Sequence, residues 1–95
     1  MRFEWDSTKA AANLAKHGVA FELASRIWED PLIDIRLESV VDGEERWMAI
    51  GLVRSVTILA VVHVFPVEFD ETIVGIVSAR RATPHERRRY EQQTI

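Results

Sequence analysis

The chain has 95 residues, of which 47% are hydrophobic and 28% charged, and its formal net charge is −3. This length makes one small domain, residues 1–95, and the lack of cysteine excludes disulfides, thiolate metal sites and a cysteine nucleophile. The longest apolar runs are too short to span a membrane and the amino terminus lacks a signal-peptide core, so we expect a cytoplasmic protein.

The first third of the chain predicts a short strand followed by two helices. Residues 1–5 alternate apolar and charged side chains, which indicates a strand. Asp6 is a suitable N-cap for a helix that ends at His17. Residues 21–28 place apolar side chains on one helical stripe, and Pro31 prevents that helix from continuing.

The middle of the chain predicts four strands. Residues 33–37 alternate apolar and charged side chains, and a turn at 41–44 leads into a strand over 45–52, so these two should form a hairpin. Residues 57–65 and 72–78 are nearly continuous apolar runs, which is typical of central strands covered on both faces.

The last element has the clearest start signal. Thr83 as N-cap, a proline in the first helical position and Glu86 form a capping box, which predicts a helix over 84–93. Tyr90 is its only sizeable apolar side chain before Ile95, so little should hold this helix to the core and we expect a partner to cover it. The whole pattern predicts an α+β domain, β-α-α-β-β-β-β-α, with helices packed on a mainly antiparallel sheet.

Positive charge is concentrated near the carboxyl end. Residues 80–89 hold five of the ten arginines and sum to +4, so the rest of the chain carries −7. Arg80 should lie directly at the end of a buried strand, where the rigid backbone would hold its guanidinium in position for a phosphate. The later arginines have a simpler alternative explanation as the solvated face of a helix, with Arg87 and Glu91 as an ordinary pair four residues apart.

A lysine and a histidine end the first predicted helix. His17 can take or give a proton near neutral pH, and Lys16 beside it can stabilise phosphate charge. Alternatively, both cations only interact with the dipole at that helix end. His63 and His85 compete for the same role, but the first falls in a buried strand, as a satisfied core residue, and the second at an exposed helix start.

A third charged group, Glu-Glu-Arg-Trp at 44–47, begins the second hairpin strand. Together with Arg80 and the Lys-His pair, Arg46 would build a positive cleft on one face of the sheet. The simpler alternative is that these charged residues only make the turn and the strand edge polar, with Trp47 packing on the sheet.

The chain contains no glycine-rich phosphate loop and no metal-ligating histidine motif. A solvated loop accounts for the acids around Pro31.

Four short motifs occur in order along most of the chain: FEWD at 3–6, KHGV at 16–19, EERW at 44–47 and SARRAT at 78–83, followed by Glu86, Arg87, Arg88 and Tyr90. In this order and spacing the chain resembles the BrnT toxin family. The resemblance implies a RelE-like fold and a metal-independent endoribonuclease without a cofactor, the toxin of a bacterial type II toxin–antitoxin pair, which cuts RNA and inhibits translation.

The resemblance also implies partners and site residues. The partner would be a BrnA-like ribbon-helix-helix antitoxin, through which alone operator DNA would be contacted. The positions that correspond to catalytic or phosphate-binding residues are Lys16, His17, Arg46, Arg80 and Tyr90. Those expected to contact RNA are Arg81, Arg87 and Arg88.

One position departs from the family pattern. Gly75 stands where the strand before Ser-Ala-Arg usually carries an arginine, so this chain would lack one phosphate ligand if that arginine faces the cleft.

The residues and the resemblance leave two hypotheses about function. In the first, His17 draws the proton from a ribose 2′-hydroxyl that attacks the adjacent phosphate, and Arg46, Arg80 and Lys16 stabilise the charge. In the second, the protein binds its antitoxin or nucleic acid without cleaving it.

Overall fold

The computed structural model describes residues 1–93, so Ile95, the apolar residue expected beyond the last helix, lies outside them. The strands are β1 (Arg2–Glu4), β2 (Asp34–Val41), β3 (Glu44–Val53), β4 (Thr57–Val64) and β5 (Ile73–Arg81). They form one sheet in the order β1-β5-β4-β3-β2. Within residues 1–93 only β1 and β5 pair in parallel, so the predicted mainly antiparallel sheet is confirmed.

The helices are α1 (Ser7–His17), α2 (Phe21–Ala24) and α3 (Pro84–Glu91), and a 3₁₀ segment (Ser25–Glu29) continues α2. The α+β class and the predicted element order are confirmed. The helix predicted over 21–28 is wrong in type, because only its first turn is α-helical. At that change the hydroxyl of Ser25 donates to the carbonyl of Glu22 at 2.7 Å, a local bond that competes with the helical pattern.

Alternation along the central strands gives the sheet two different faces. On β3 and β4, Ala49 and Val61 point to one face, where α1, α2 and the 3₁₀ segment cover the larger core. We call this the helical face. Ile50 and Ala60 point to the other face, where Tyr90 of α3 packs on a smaller core, and we call this the α3 face. The central strands are thus covered on both sides, as predicted.

A buried asparagine joins α1 to the sheet. The side-chain amide of Asn13 donates to the carbonyl of Ala79 on β5 at 2.9 Å and to that of Val19 at 3.0 Å. Its oxygen accepts from the Ala79 amide at 3.1 Å. These bonds place the end of α1, capped by Gly18 with a φ of +71°, beside the end of β5.

Among the helices of the described residues, none is long and apolar enough to cross a membrane.

Candidate functional site

Two of the predicted site arginines, Arg46 and Arg80, lie on the α3 face of the sheet, which also carries Arg36 paired with Asp34. Arg80 pairs with Ala60 of β4, whereas Arg46 precedes Trp47, whose partner on β4 is His63. The two arginines are therefore four positions apart along the strands, about 13 Å, and two strands apart, about 10 Å. Both are half-buried. The strip of sheet between them is longer than a single phosphate group.

Arg80 is held by a carboxylate within the same domain. Its two terminal nitrogens donate to the two oxygens of Glu86 at 2.7 and 3.0 Å. Arg80 is the penultimate residue of β5, so it lies at the end of a strand, as predicted. Because a carboxylate and a phosphate present the same pair of oxygen acceptors to a guanidinium, Glu86 occupies the position that was predicted for phosphate.

Glu86 also caps α3, as its position in the sequence predicts. Its carboxylate accepts from the backbone amide of Thr83 at 2.9 Å, and the Thr83 hydroxyl accepts from the Glu86 amide at 3.2 Å. The hydrogen bonds from Arg80, supported by the bond from Thr83, lower the pKa of Glu86 to about 2 even though partial burial opposes this. The carboxylate is therefore ionised at any physiological pH.

Arg46 has no carboxylate partner among residues 1–93. Its Nε is buried and has no hydrogen-bond partner among residues 1–93. A buried donor without a partner carries a free-energy cost. The role of Arg46 as a phosphate ligand stays a prediction.

The lysine and histidine at the end of α1 do not join this strip. Lys16 and His17 are both exposed, on a helix that belongs to the helical face. The predicted single cleft with all four cations on one face is therefore wrong. The separation arises because α1 packs on the core of the helical face through Ala10, whereas the Arg80 side chain points to the α3 face. The roles of Lys16 and His17 remain predictions.

His63 is a core residue, as predicted, but its hydrogen bonding is incomplete. The ring is fully buried and makes edge-on contacts with Trp28 and Phe65. Its Nδ1 lies 3.3 Å from the carbonyl oxygen of Val61, whereas Nε2 has no partner in the described part of the chain. Burial lowers the pKa of His63 to about 4, so the ring is neutral near pH 7. His85 is exposed at the start of α3, as predicted.

Tyr90 is buried, and its hydroxyl donates to Oδ2 of Asp30. Burial and the neighbouring Asp30 raise the pKa of Tyr90 to about 12. Asp30 also accepts from the Leu52 amide at 2.8 Å. The prediction that little holds α3 to the core is therefore wrong, and the acids around Pro31 are not merely solvated.

A second acid holds the same helix. Asp34 is buried at the start of β2 and accepts from Arg89 at 3.1 Å. Arg89 was not predicted as an anchor, because its partner lies 55 residues away in the sequence.

The remaining predicted RNA contacts are all exposed. Arg81 alternates with Arg80 along β5 and therefore points to the helical face. Arg87 and Arg88 lie on the outer surface of α3, and Arg87 is 4.0 Å from Glu91, the predicted helical pair. These arginines surround the end of β5 on both sides.

Gly75 lies on the α3 face. It pairs with Val64 of β4, and Val64 points to the same face as Val62 and Ala60 because these residues are two positions apart along the strand. A side chain at position 75 would therefore point into the same surface as Arg46 and Arg80. A Cβ there would meet the Val64 side chain at 3.0 Å, so this chain is packed closely around the glycine.

Comparison with known proteins gives these residues a context. The family model for "Ribonuclease toxin, BrnT, of type II toxin-antitoxin system" matches residues 5–86. This chain belongs to the BrnT family. The 1.1 Å crystal structure of the Brucella abortus ribonuclease toxin BrnT is 28% identical, with a TM-score of 0.62 over 87% of this chain and 97% of that one. No curated protein sequence matches.

Membership of the BrnT family confirms the resemblance found in the motifs. A ribonuclease toxin of a type II system implies two binding partners, an RNA substrate and an antitoxin. The predicted site arginines lie on the α3 face, at the end of β5 and on α3.

Proposed function

We propose that this protein is a metal-independent endoribonuclease toxin that binds RNA across the α3 face. The observation that carries the proposal is the pair of arginines on that face, of which Arg46 has an unpaired buried nitrogen and Arg80 a fork suited to two acceptor oxygens. Fixed cationic donors stabilise the charge that develops on phosphate during cleavage, which is usually the largest contribution to such catalysis.

The proposed nucleophile is the 2′-hydroxyl of the RNA. A base removes its proton, the oxygen attacks the adjacent phosphorus, and the bond to the 5′-oxygen of the next nucleotide breaks. We assign His17 as this base, with Lys16 beside it. The position of α1 supports this, because Asn13 joins the turn after His17 to Ala79, one residue before Arg80. RNA crossing the end of β5 would meet both faces there.

The proposed partner is a BrnA-like antitoxin of the ribbon-helix-helix type, and operator DNA would be contacted only through it. Membership of a toxin–antitoxin family supports a protein partner. The exposed arginines of α3 supply a surface that either the antitoxin or RNA can use.

The catalytic proposal is tested by removing the arginine fork. We expect Arg80→Ala to lower RNA cleavage in EDTA about 100-fold or more, as for the loss of one fixed donor at a developing oxyanion. Arg80→Lys, which keeps the charge but not the fork, should also be impaired. Arg26→Ala, at an exposed arginine of the 3₁₀ segment, is the matched control.

Both Arg80 variants must melt cooperatively for the comparison to count, because Glu86 loses the two hydrogen bonds of the arginine fork in them. Full cleavage by a folded Arg80→Ala protein would contradict the proposal.

A second function is favoured by one observation. Since Glu86 already occupies the Arg80 fork and Gly75 supplies no cation, the chain could bind antitoxin or nucleic acid without cleaving it. RNA that is bound but stays intact at every protein concentration would support this binding module over the ribonuclease.

A further inference from the structure

A groove of about 790 Å³ lies between the β2–β3 turn and the loop that joins β4 to β5. Its base is formed by Trp47 and Phe65, whose rings meet edge-on with centroids 6.0 Å apart. Trp47 alternates with Arg46, so the groove opens away from the α3 face. We call it the acidic groove, because five of the residues that line it carry carboxylates.

Apolar side chains at the rim of the acidic groove are exposed to solvent. Phe69 is 98% exposed, Val40 59% and Val67 44%. Single exposed apolar residues are ordinary on a protein surface, but these three converge on one concavity with an aromatic base. Their arrangement is that of a docking surface whose apolar part is covered on binding.

The charge of the acidic groove selects the occupant. No lysine or arginine among residues 1–93 lines it, and its five carboxylates exceed the net charge of −3 of the entire chain. Phosphate is repelled from such a surface, so RNA is excluded, whereas a cationic chain with apolar side chains satisfies both the carboxylates and the rim. A protein partner is implied by membership of the toxin–antitoxin family.

We propose that the acidic groove binds a segment of the antitoxin that carries basic and apolar side chains together. This proposal rests on the proposed function in one respect, which is that the partner is an antitoxin. The groove opens on the side opposite to Arg46. The docked segment therefore anchors the antitoxin without itself competing with RNA for the surface between Arg46 and Arg80. If the antitoxin prevents RNA from binding there, it does so with another part of its chain.

The probe is a short synthetic peptide of alternating arginine and leucine, with a glutamate–leucine peptide as its charge-reversed counterpart. Each is titrated by calorimetry into the wild-type protein and into the triple variant Glu44→Gln, Glu68→Gln, Glu71→Gln. The control is Glu4→Gln, Glu22→Gln, Glu29→Gln, which removes the same charge from exposed positions outside the groove.

The arginine–leucine peptide should bind the wild-type and control proteins alike and the groove variant at least about tenfold more weakly, with Phe69→Ser also weakened. The glutamate–leucine peptide should not bind. Equal loss in the groove and control variants, or no binding to the wild type, would overturn the proposal. Cleavage of RNA by the groove variant should match the wild type, and this separate readout shows whether the ribonuclease proposal has failed instead.

Discussion

Glu86 takes part in two hydrogen-bond systems at once. It accepts from the Thr83 amide as part of the α3 cap and from both terminal nitrogens of Arg80. The cap could be predicted from the sequence, since the capping residues are three positions apart. The pair with Arg80 could not, because it depends on how α3 turns back over the end of β5.

Glu86→Gln separates these two roles. Glutamine serves in a capping box as glutamate does, so α3 should persist, while the negative charge facing Arg80 is removed. We expect tighter binding of a short single-stranded RNA, with the slope of log K against log salt concentration steeper by about 0.7, equivalent to one additional phosphate contact. Fluorescence anisotropy at several salt concentrations measures both.

Glu91→Gln makes the same change in net charge on the same helix and should leave the slope nearly unchanged, since Glu91 is exposed and 4.0 Å from Arg87. Equal effects of the two variants would show that Glu86 does not occupy a phosphate position.

At the scale of elements, α3 is held to the fold by specific polar contacts as well as by the burial of Tyr90 in the small core. Tyr90 reaches Asp30, and Arg89 reaches Asp34. Although burial raises the pKa of Asp30, the hydrogen bonds from Tyr90 and from the Leu52 amide lower it overall. The sequence predicted the start of this helix correctly but not its attachment, since a polar helix carries little periodic apolar signal.

Tyr90→Phe tests this attachment. The ring remains on the small core of the α3 face, but Asp30 loses one donor and keeps the Leu52 amide. We expect a loss of about 1 to 3 kcal/mol in the free energy of unfolding and faster amide hydrogen exchange in α3. Arg88→Ala, at an exposed position of the same helix, should change neither. Unaltered exchange in the Tyr90 variant would mean that other contacts suffice to hold α3.

At the scale of the whole molecule, His63 links stability to pH. Its pKa is about 4 in the folded protein, against an ordinary value of 6.5 when exposed. Between these values the unfolded chain binds a proton that the folded protein does not, so stability is complete above pH 6.5 and falls as the pH drops toward 4. The loss is on the order of 3 kcal/mol. Glu86 adds a further loss only below pH 4.5, toward 2.

His63→Leu should abolish the decline between pH 6.5 and 4 while leaving that below 4.5, whatever its effect on stability at pH 7. Urea unfolding at a series of pH values measures this. The exposed His85→Gln serves as the control and should keep the wild-type profile. A decline in His63→Leu as steep as in the wild type would assign the linkage to another group.

The sequence by itself determined the elements, their order, the α3 cap and the family, because each rests on short-range patterns or on motifs in a fixed order. Only the tertiary structure decided which charges meet. Arg80 is paired with Glu86, and Lys16 and His17 lie across the sheet from it. The physical reason is that strand alternation and the docking of α1 through Asn13 set these positions, and their partners are up to 66 residues apart in the chain.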